Sequence, residues 1–427
     1  MGAMRRAVLA GLFVAGLAEG EALAQSFQTV GTGLHWGRFN VYPSVTMNYG
    51  YDSNIFYSSN DIDTSTGIIS SREFQLQPRI LFDLPMGDSW VRWAFAPMFR
   101  NYSTDAYTPT KPWSNNFDLD GHLRLGPRFY TTFRDRFVFG TEELQNVDPG
   151  GEVVFGDVPF RNHSPSVEVG CNLGARQGAS VVWNYNSVQF QTDDAGFYNY
   201  RGHGLQARYN YKVSDVTNTY VYAGDDTTQQ ERFIPVADTI DVETQSAGVG
   251  LNQVINRSVT TSFTAGYQAI TYTGGSVSNY RGAVLAGNAT WLLSDVTRLS
   301  FLVRRQPYSS FYLNNNYYLN RAVGVNLMHQ AGASWYWRAG GGFENNTYSD
   351  PLECGVGCPS EGVIRRDRAW RLEGGVGGQA TRTVRWFVGY NVQSRSSNIL
   401  QADADGFGDP FAYNVNRLFL RIEVGWL

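Results

Sequence analysis

Arginine recurs at alternate positions of short segments along the chain, at Arg79, Arg92, Arg100, Arg124, Arg134, Arg136, Arg208, Arg298, Arg304, Arg338, Arg371, Arg385, Arg417 and Arg421. A guanidinium is a planar, permanently charged fork that grips carboxylate, phosphate or sulfate through two parallel hydrogen bonds. Many such groups turned toward one water-filled space make an anion-favouring lining, because a low-dielectric wall focuses their field. Interleaved with them are Glu73, Asp83, Asp118, Asp120, Glu168, Glu344, Glu373 and Glu423. A second reading therefore stays open, in which acids and arginines pair and stiffen a wall. Tyr42, Tyr336, Phe387 and Phe419 share that face, flat enough to stack on sugar rings or simply to fill the wall.

Other chemistry is sparsely supported. Hydrolysis needs a base, a nucleophile and an orienting acid in convergence. The five histidines are His35, His122, His163, His203 and His329; His163 precedes Ser164, but the local sequence sets no acid beside them. No enzyme is expected. Asp403, Asp405 and Asp409 are spaced as in a minimal calcium loop, yet a solvated acidic loop accounts for them more simply. Cys354 and Cys358 share a Gly-rich segment without a nearby histidine, which fits a small disulfide ring better than a metal site. Neither metal nor cofactor is expected, and nothing in a net charge of −4 calls for nucleic acid.

The elements that must hold these groups alternate strictly. In the last eleven residues, Leu418, Leu420, Ile422, Val424 and Trp426 fall on one face and Arg417, Phe419, Arg421, Glu423 and Gly425 on the other. Period two with one apolar face means lipid outside and water inside, the pattern of a transmembrane β-barrel. The composition agrees: charged residues are 17% and aromatics 15%, while mean hydropathy is −0.30. No stretch approaches the roughly 20 apolar residues of a membrane helix. Residues 1–24, with Arg5 and Arg6 before an apolar run and Ala22-Leu23-Ala24 at its end, read as a secretory signal peptide. Residues 25–38 form a short periplasmic lead-in and residues 39–427 one barrel.

About eighteen segments of strand length follow one another from Phe39, each near the roughly 10 residues a tilted membrane strand needs. Tight links such as Gly87-Asp88, Ser214–Thr217, Asn256-Arg257 and Ser294–Thr297 alternate with long ones such as 52–72, 144–164, 225–241, 345–367 and 394–415. Short periplasmic turns and long outer loops are the outer-membrane arrangement, and an even strand number puts both ends in the periplasm.

At Tyr51-Asp52-Ser53-Asn54-Ile55-Phe56 the first segment closes on a phrase that resembles the opening of the putative β-barrel porin 2 family. The resemblance rests on Tyr51, Asp52, Asn54 and Phe56. Because many members are associated with exopolysaccharide or capsule export, it implies polymer passage across the outer membrane, together with a separate periplasmic export protein. The reading at this stage is an outer-membrane barrel, bathed in lipid and inserted by barrel-assembly machinery, whose cationic lumen exports an anionic exopolysaccharide. An eighteen-stranded barrel is wide enough for a hydrated saccharide chain if loops leave it clear. A general or sugar-selective diffusion porin for small solutes is the alternative; a closed surface barrel acting as adhesin or structural protein is the second.

Overall fold

The computed structural model describes residues 33–61, 67–104, 112–140, 160–190, 199–232, 238–256, 258–273, 278–310, 315–352, 359–403 and 406–426. Eighteen antiparallel strands follow in chain order: β1 Phe39–Asp52, β2 Ser71–Met86, β3 Ser89–Tyr102, β4 Trp113–Leu125, β5 Phe129–Gly140 and β6, which Ser164-Pro165 breaks into Phe160–His163 and Ser166–Asn172. Next come β7 Gln177–Phe190, β8 Asn199–Ser214, β9 Thr217–Arg232, β10 Asp238–Asn256, β11 Val259–Thr273 and β12 Tyr280–Ser294. The last six are β13 Thr297–Ser309, β14 Tyr317–Gln330, β15 Trp335–Pro351, β16 Ile364–Thr381, β17 Val384–Ser397 and β18 Tyr413–Gly425. Each strand pairs with its chain neighbour, and β1 pairs with β18 from Ser44–Gly425 to Asp52–Arg417. The sheet closes on itself, so it has no free edge for lipid to leave unsatisfied.

The alternation has one physical cause. Side chains that meet lipid are apolar, and they stay open to the surroundings because no protein covers them: Phe95, Phe301, Trp335, Val388, Leu418 and Leu420 are all exposed. Their strand neighbours face the interior, where Arg, Asp, Asn and Tyr find partners or water. Turns at the periplasmic end are tight. Gly87 supplies the left-handed φ of +68° between β2 and β3, and Ser294 Oγ donates to Thr297 Oγ1 at 3.0 Å in the β12–β13 turn. The last strand is tied on both flanks, since Gly425 N donates to Thr383 O at 2.8 Å and Trp426 N to Pro43 O at 3.1 Å.

The strands run further outward than hydropathy alone predicts. The stretch read as a loop from Asp225 to Asp241 is a continued hairpin, with β9 reaching Arg232 and β10 starting at Asp238. Likewise β15 extends to Pro351 and β16 begins at Ile364, inside the segment read as a loop from 345 to 367. Above the lipid the outward face no longer has to be apolar, so polar residues such as Asp225, Gln229, Arg366 and Arg368 carry the ladder on without an amphipathic signal.

Candidate functional site

Strand register puts every arginine anticipated above on the inward face. Asp83, Arg92, Asp120 and Arg134 are cross-strand neighbours on β2 to β5 and form one row of alternating charge. Within it, Arg92 meets Asp83 at 2.8 Å and Arg134 meets Asp120 at 3.4 Å. Arg100 pairs with Glu73 at 3.0 Å, Arg124 with Asp88 at 2.5 Å, and Arg136 is registered with Asp118. Arg208 donates to Gln206 Oε1 at 2.7 Å and lies over the Tyr220 ring. Arg79 shares the Ser44 row, while Arg385 is opposite Glu423 and Arg371 opposite Gln393. Arg298 and Arg421, near the periplasmic ends of β13 and β18, are exposed although they face inward, so that part of the lumen admits water; Arg371, nearer the outer end of β16, is exposed as well. Charge is unevenly spread around the wall: from β9 to β12 the inward positions are Tyr, Thr, Ser, Asn, Gln, Gly or aliphatic, with Asp226 the charged exception among the described side chains.

The outer half is different, because many of its inward side chains are buried. Asp367 is at the centre of one cluster. Arg365 grips it in a fork, Nε to Oδ1 at 3.0 Å and Nη2 to Oδ2 at 2.8 Å; Arg395 bonds it from β17, and Tyr348 donates its hydroxyl at 3.2 Å. The Arg365 guanidinium is sandwiched between the rings of Tyr348, 4.4 Å from its centroid, and Phe411 of the β17–β18 loop, 3.3 Å from its centroid. All three charged side chains are at most 3% exposed, which only mutual pairing makes tolerable. Alongside, Arg304 donates to Asn320 at 3.0 Å, and Asn320 to Asn346 at 2.7 Å. Tyr318 and Asn320 are fully buried even though their side chains point into the barrel.

Three segments supply the covering atoms. The β12–β13 ladder ends at Leu285–Arg305. Beyond it, outward-numbered residues of the β13–β14 hairpin meet inward-numbered residues of β10 to β12: Arg305 donates to Tyr280 Oη at 3.2 Å, Tyr317 stacks on Tyr272, and Leu319 packs among Ile240, Val242 and Ile270. That geometry requires the hairpin tip to lean into the mouth. The β1–β2 loop also turns inward, since Tyr57 packs edge-on against Tyr413, 5.0 Å between centroids, beside Val415 on the inward face of β18. Finally, Ser59 donates to Asp409 O at 2.7 Å and Asn60 N to Ala412 O at 3.0 Å, tying that loop to the β17–β18 loop. Asp409 itself accepts from Ser397 N and Phe411 N, and burial raises its carboxyl pKa against those two bonds.

The phrase from Tyr51 to Phe56 is the hinge of this arrangement. Asp52 accepts from Asn54 N at 2.8 Å and pairs with Arg417 across the seam. Asn54, with no exposed surface, exchanges two bonds with the Ser58 backbone, and Tyr57 takes a left-handed φ of +53°. Tyr51 faces outward and is exposed, and Phe56 follows in the turn. Arg365 and Arg395 were missed by sequence reasoning because they lie beyond the amphipathic part of their strands; the run Arg365-Arg366-Asp367-Arg368 carries the only hint. His163 does meet an acid, Asp135 at 3.0 Å, but both have outward register. Cys354, Cys358 and Asp405 lie outside the described residues, as does the side chain of Asp403 and the whole leader 1–24. Among the described residues no cluster of His, Cys, Asp or Glu is arranged to hold a metal.

Residues 178–407, more than half of the chain, match the family described as Putative beta-barrel porin 2. The chain belongs to this family. The matched stretch contains the β16–β17 cluster but not Tyr51–Phe56. No curated protein matches the chain. Among solved structures, OpdK of Pseudomonas aeruginosa aligns with 91% of this chain and 99% of its own at 10% identity and a TM-score of 0.47. OpdK with vanillate aligns over 90% and 99% at 9% identity and 0.48, and OccK2 of the same organism with glucuronate over 91% and 98% at 9% and 0.46. This porin-family chain is a multi-span β-barrel of outer-membrane type.

The export of an exopolysaccharide, expected from the sequence, is corrected. The solved barrels named above are described with vanillate and with glucuronate, and not with a polymer. The condition attached to that expectation is not met either, because three outer segments pack over inward residues of the mouth.

Proposed function

We propose that this barrel is a selective diffusion porin that takes small, anionic solutes into the periplasm. The observation that carries the reading is the pairing of a side-chain-filled outer mouth with a wet, arginine-rich inner half. The filled mouth sets a size limit through Tyr57, Tyr318 and the inward β13–β14 tip. Below it, arginines outnumber carboxylates among the described inward residues, and the exposed Arg298, Arg371 and Arg421 lower the energy of an anion in passage. Individually weak contacts spread along the wall let a solute enter and leave again.

In this reading residues 1–24 are a secretion leader, residues 39–427 form one barrel, and the arginines named above line the pore. A separate barrel-assembly machinery inserts the chain, closing it at the β1–β18 seam. The test is solute flux into liposomes that hold the purified barrel. Monosaccharide-sized and smaller acids are expected to enter faster than neutral solutes of equal size, and oligosaccharides are expected to stay out. Equal entry of acids and neutral solutes removes the charge argument, and free entry of oligosaccharides removes the size argument.

A further inference from the structure

Below the filled mouth, three rings lie side by side on the inward wall. Tyr336 of β15 stacks on Phe387 of β17 with 6.3 Å between centroids, and Phe387 meets Phe419 of β18 at 5.8 Å. They reach each other because the wall beneath them is bare. Added Cβ atoms would stand 2.4 Å from Phe387 Cζ at Gly375, 2.8 Å from its Cδ2 at Gly377, and 2.6 Å from Phe419 Cζ at Gly389. Side chains at those places would push the rings off the wall.

Arg338 lies on this floor with its guanidinium carbon 4.2 Å from the Phe387 centroid. Stacking holds the fork flat, and no carboxylate of the described residues pairs with it, in contrast to Arg365 and Arg395, which both bond Asp367. One row away, Arg421 is exposed, 6.0 Å above Phe419, and donates to Asn48 at 2.9 Å. Phe387 itself is buried beneath Arg338, while Tyr336 and Phe419 beside it keep part of their surface open. A flat, charged fork beside two part-open rings is complementary to a carboxylate attached to a flat ring.

We propose that Tyr336, Phe387, Phe419 and Arg338 form a binding subsite for small ring carboxylates on their way through the lumen. The inference rests on the porin reading and names its substrate class. It predicts residence, because stacking and a charge-assisted hydrogen bond act together at one place.

The experiment records single-channel current through the full-length barrel in planar bilayers with benzoate, galacturonate, acetate or benzyl alcohol added. Benzoate or galacturonate is expected to give brief, concentration-dependent blockades that acetate and benzyl alcohol give far less, and the stronger of the two tells whether an aromatic or a sugar ring is preferred. Arg338→Gln is expected to weaken the blockade by about tenfold, and Phe419→Leu to shorten it while the ionic conductance persists. Arg338→Lys, which keeps the charge and loses the stacked plane, is expected to fall between. Heat-dependent electrophoretic mobility establishes that each variant is folded. Ring acids that block no better than acetate, or an unchanged blockade in folded Arg338→Gln, overturn the subsite while an anion-selective open channel leaves the porin reading standing; a wild-type barrel with no ionic conductance instead overturns the porin reading.

Discussion

Asp52 and Arg417 are joined by an ion pair across the seam where the first and last strands close the barrel. The Asp52 carboxylate is nearly buried and also accepts from Asn54 N, so one side chain sets both the closure and the start of the inward loop. Asp52→Ala leaves Arg417 and the Asn54 amide without that acceptor. The expected cost is about 1–3 kcal/mol, read as a lower urea midpoint for the loss of the folded electrophoretic form. An unchanged midpoint would show that the seam is held by backbone pairing alone.

Tyr57 keeps the β1–β2 loop in the mouth through its ring contact with Tyr413. Such an aromatic pair contributes about 1 kcal/mol, which is about a fivefold change in the population of a released loop. Tyr57→Ala is therefore expected to raise mean single-channel conductance and to let larger solutes swell liposomes. Unaltered conductance and size limit would mean that this loop does not narrow the passage.

Asp367 neutralises two buried guanidiniums at once. Asp367→Asn removes the compensating charge and is expected to destabilise the barrel by about 3–5 kcal/mol. Arg395→Gln in the same chain is expected to recover part of that loss, since it removes one of the stranded charges. Denaturation of the two variants side by side checks the claim; no recovery in the double variant speaks against charge compensation.

The β17–β18 loop is expected to respond to pH through Asp409. Burial holds its carboxyl pKa above the unfolded value, with Asp367 and Asp61 adding to the rise. A raised folded pKa means that the folded loop binds the proton more tightly than the unfolded chain. Its stabilising effect is complete below about pH 4, the ordinary carboxylate range, and is lost as pH rises through the elevated value. Protease cleavage within residues 397–412 is expected to accelerate over that rise, and Asp409→Asn to flatten the dependence. A rate independent of pH in the wild type contradicts the assignment.

Much of the fold was legible because lipid imposes a one-sided demand on each strand. Leu418 and Leu420 had to be apolar, so Arg417, Phe419 and Arg421 fall on the other face by elimination, and strand register places Arg79 through Arg385 on that same face. That signal stops at the membrane boundary. Arg365 and Arg395 belong to strand extensions whose outward neighbours, Arg366 and Ser396, are polar, so no periodicity marks them. The mouth was not legible either. Tyr57 meets Tyr413 and Ser59 meets Asp409 from opposite ends of the chain, and only closure of the barrel brings them together. The polymer expectation failed at this point, because strand number sets the width of the wall and inward-packed segments set the width of the opening.

The charge of the passage remains the centre of the account, and the reversal potential across a bilayer with a potassium chloride gradient measures it directly. The wild-type barrel is expected to favour chloride, and replacement of Arg298, Arg371 and Arg421 by Gln is expected to move the potential toward zero while the channel stays open. A wild-type barrel that favours potassium, or a triple variant with an unchanged reversal potential, would contradict it.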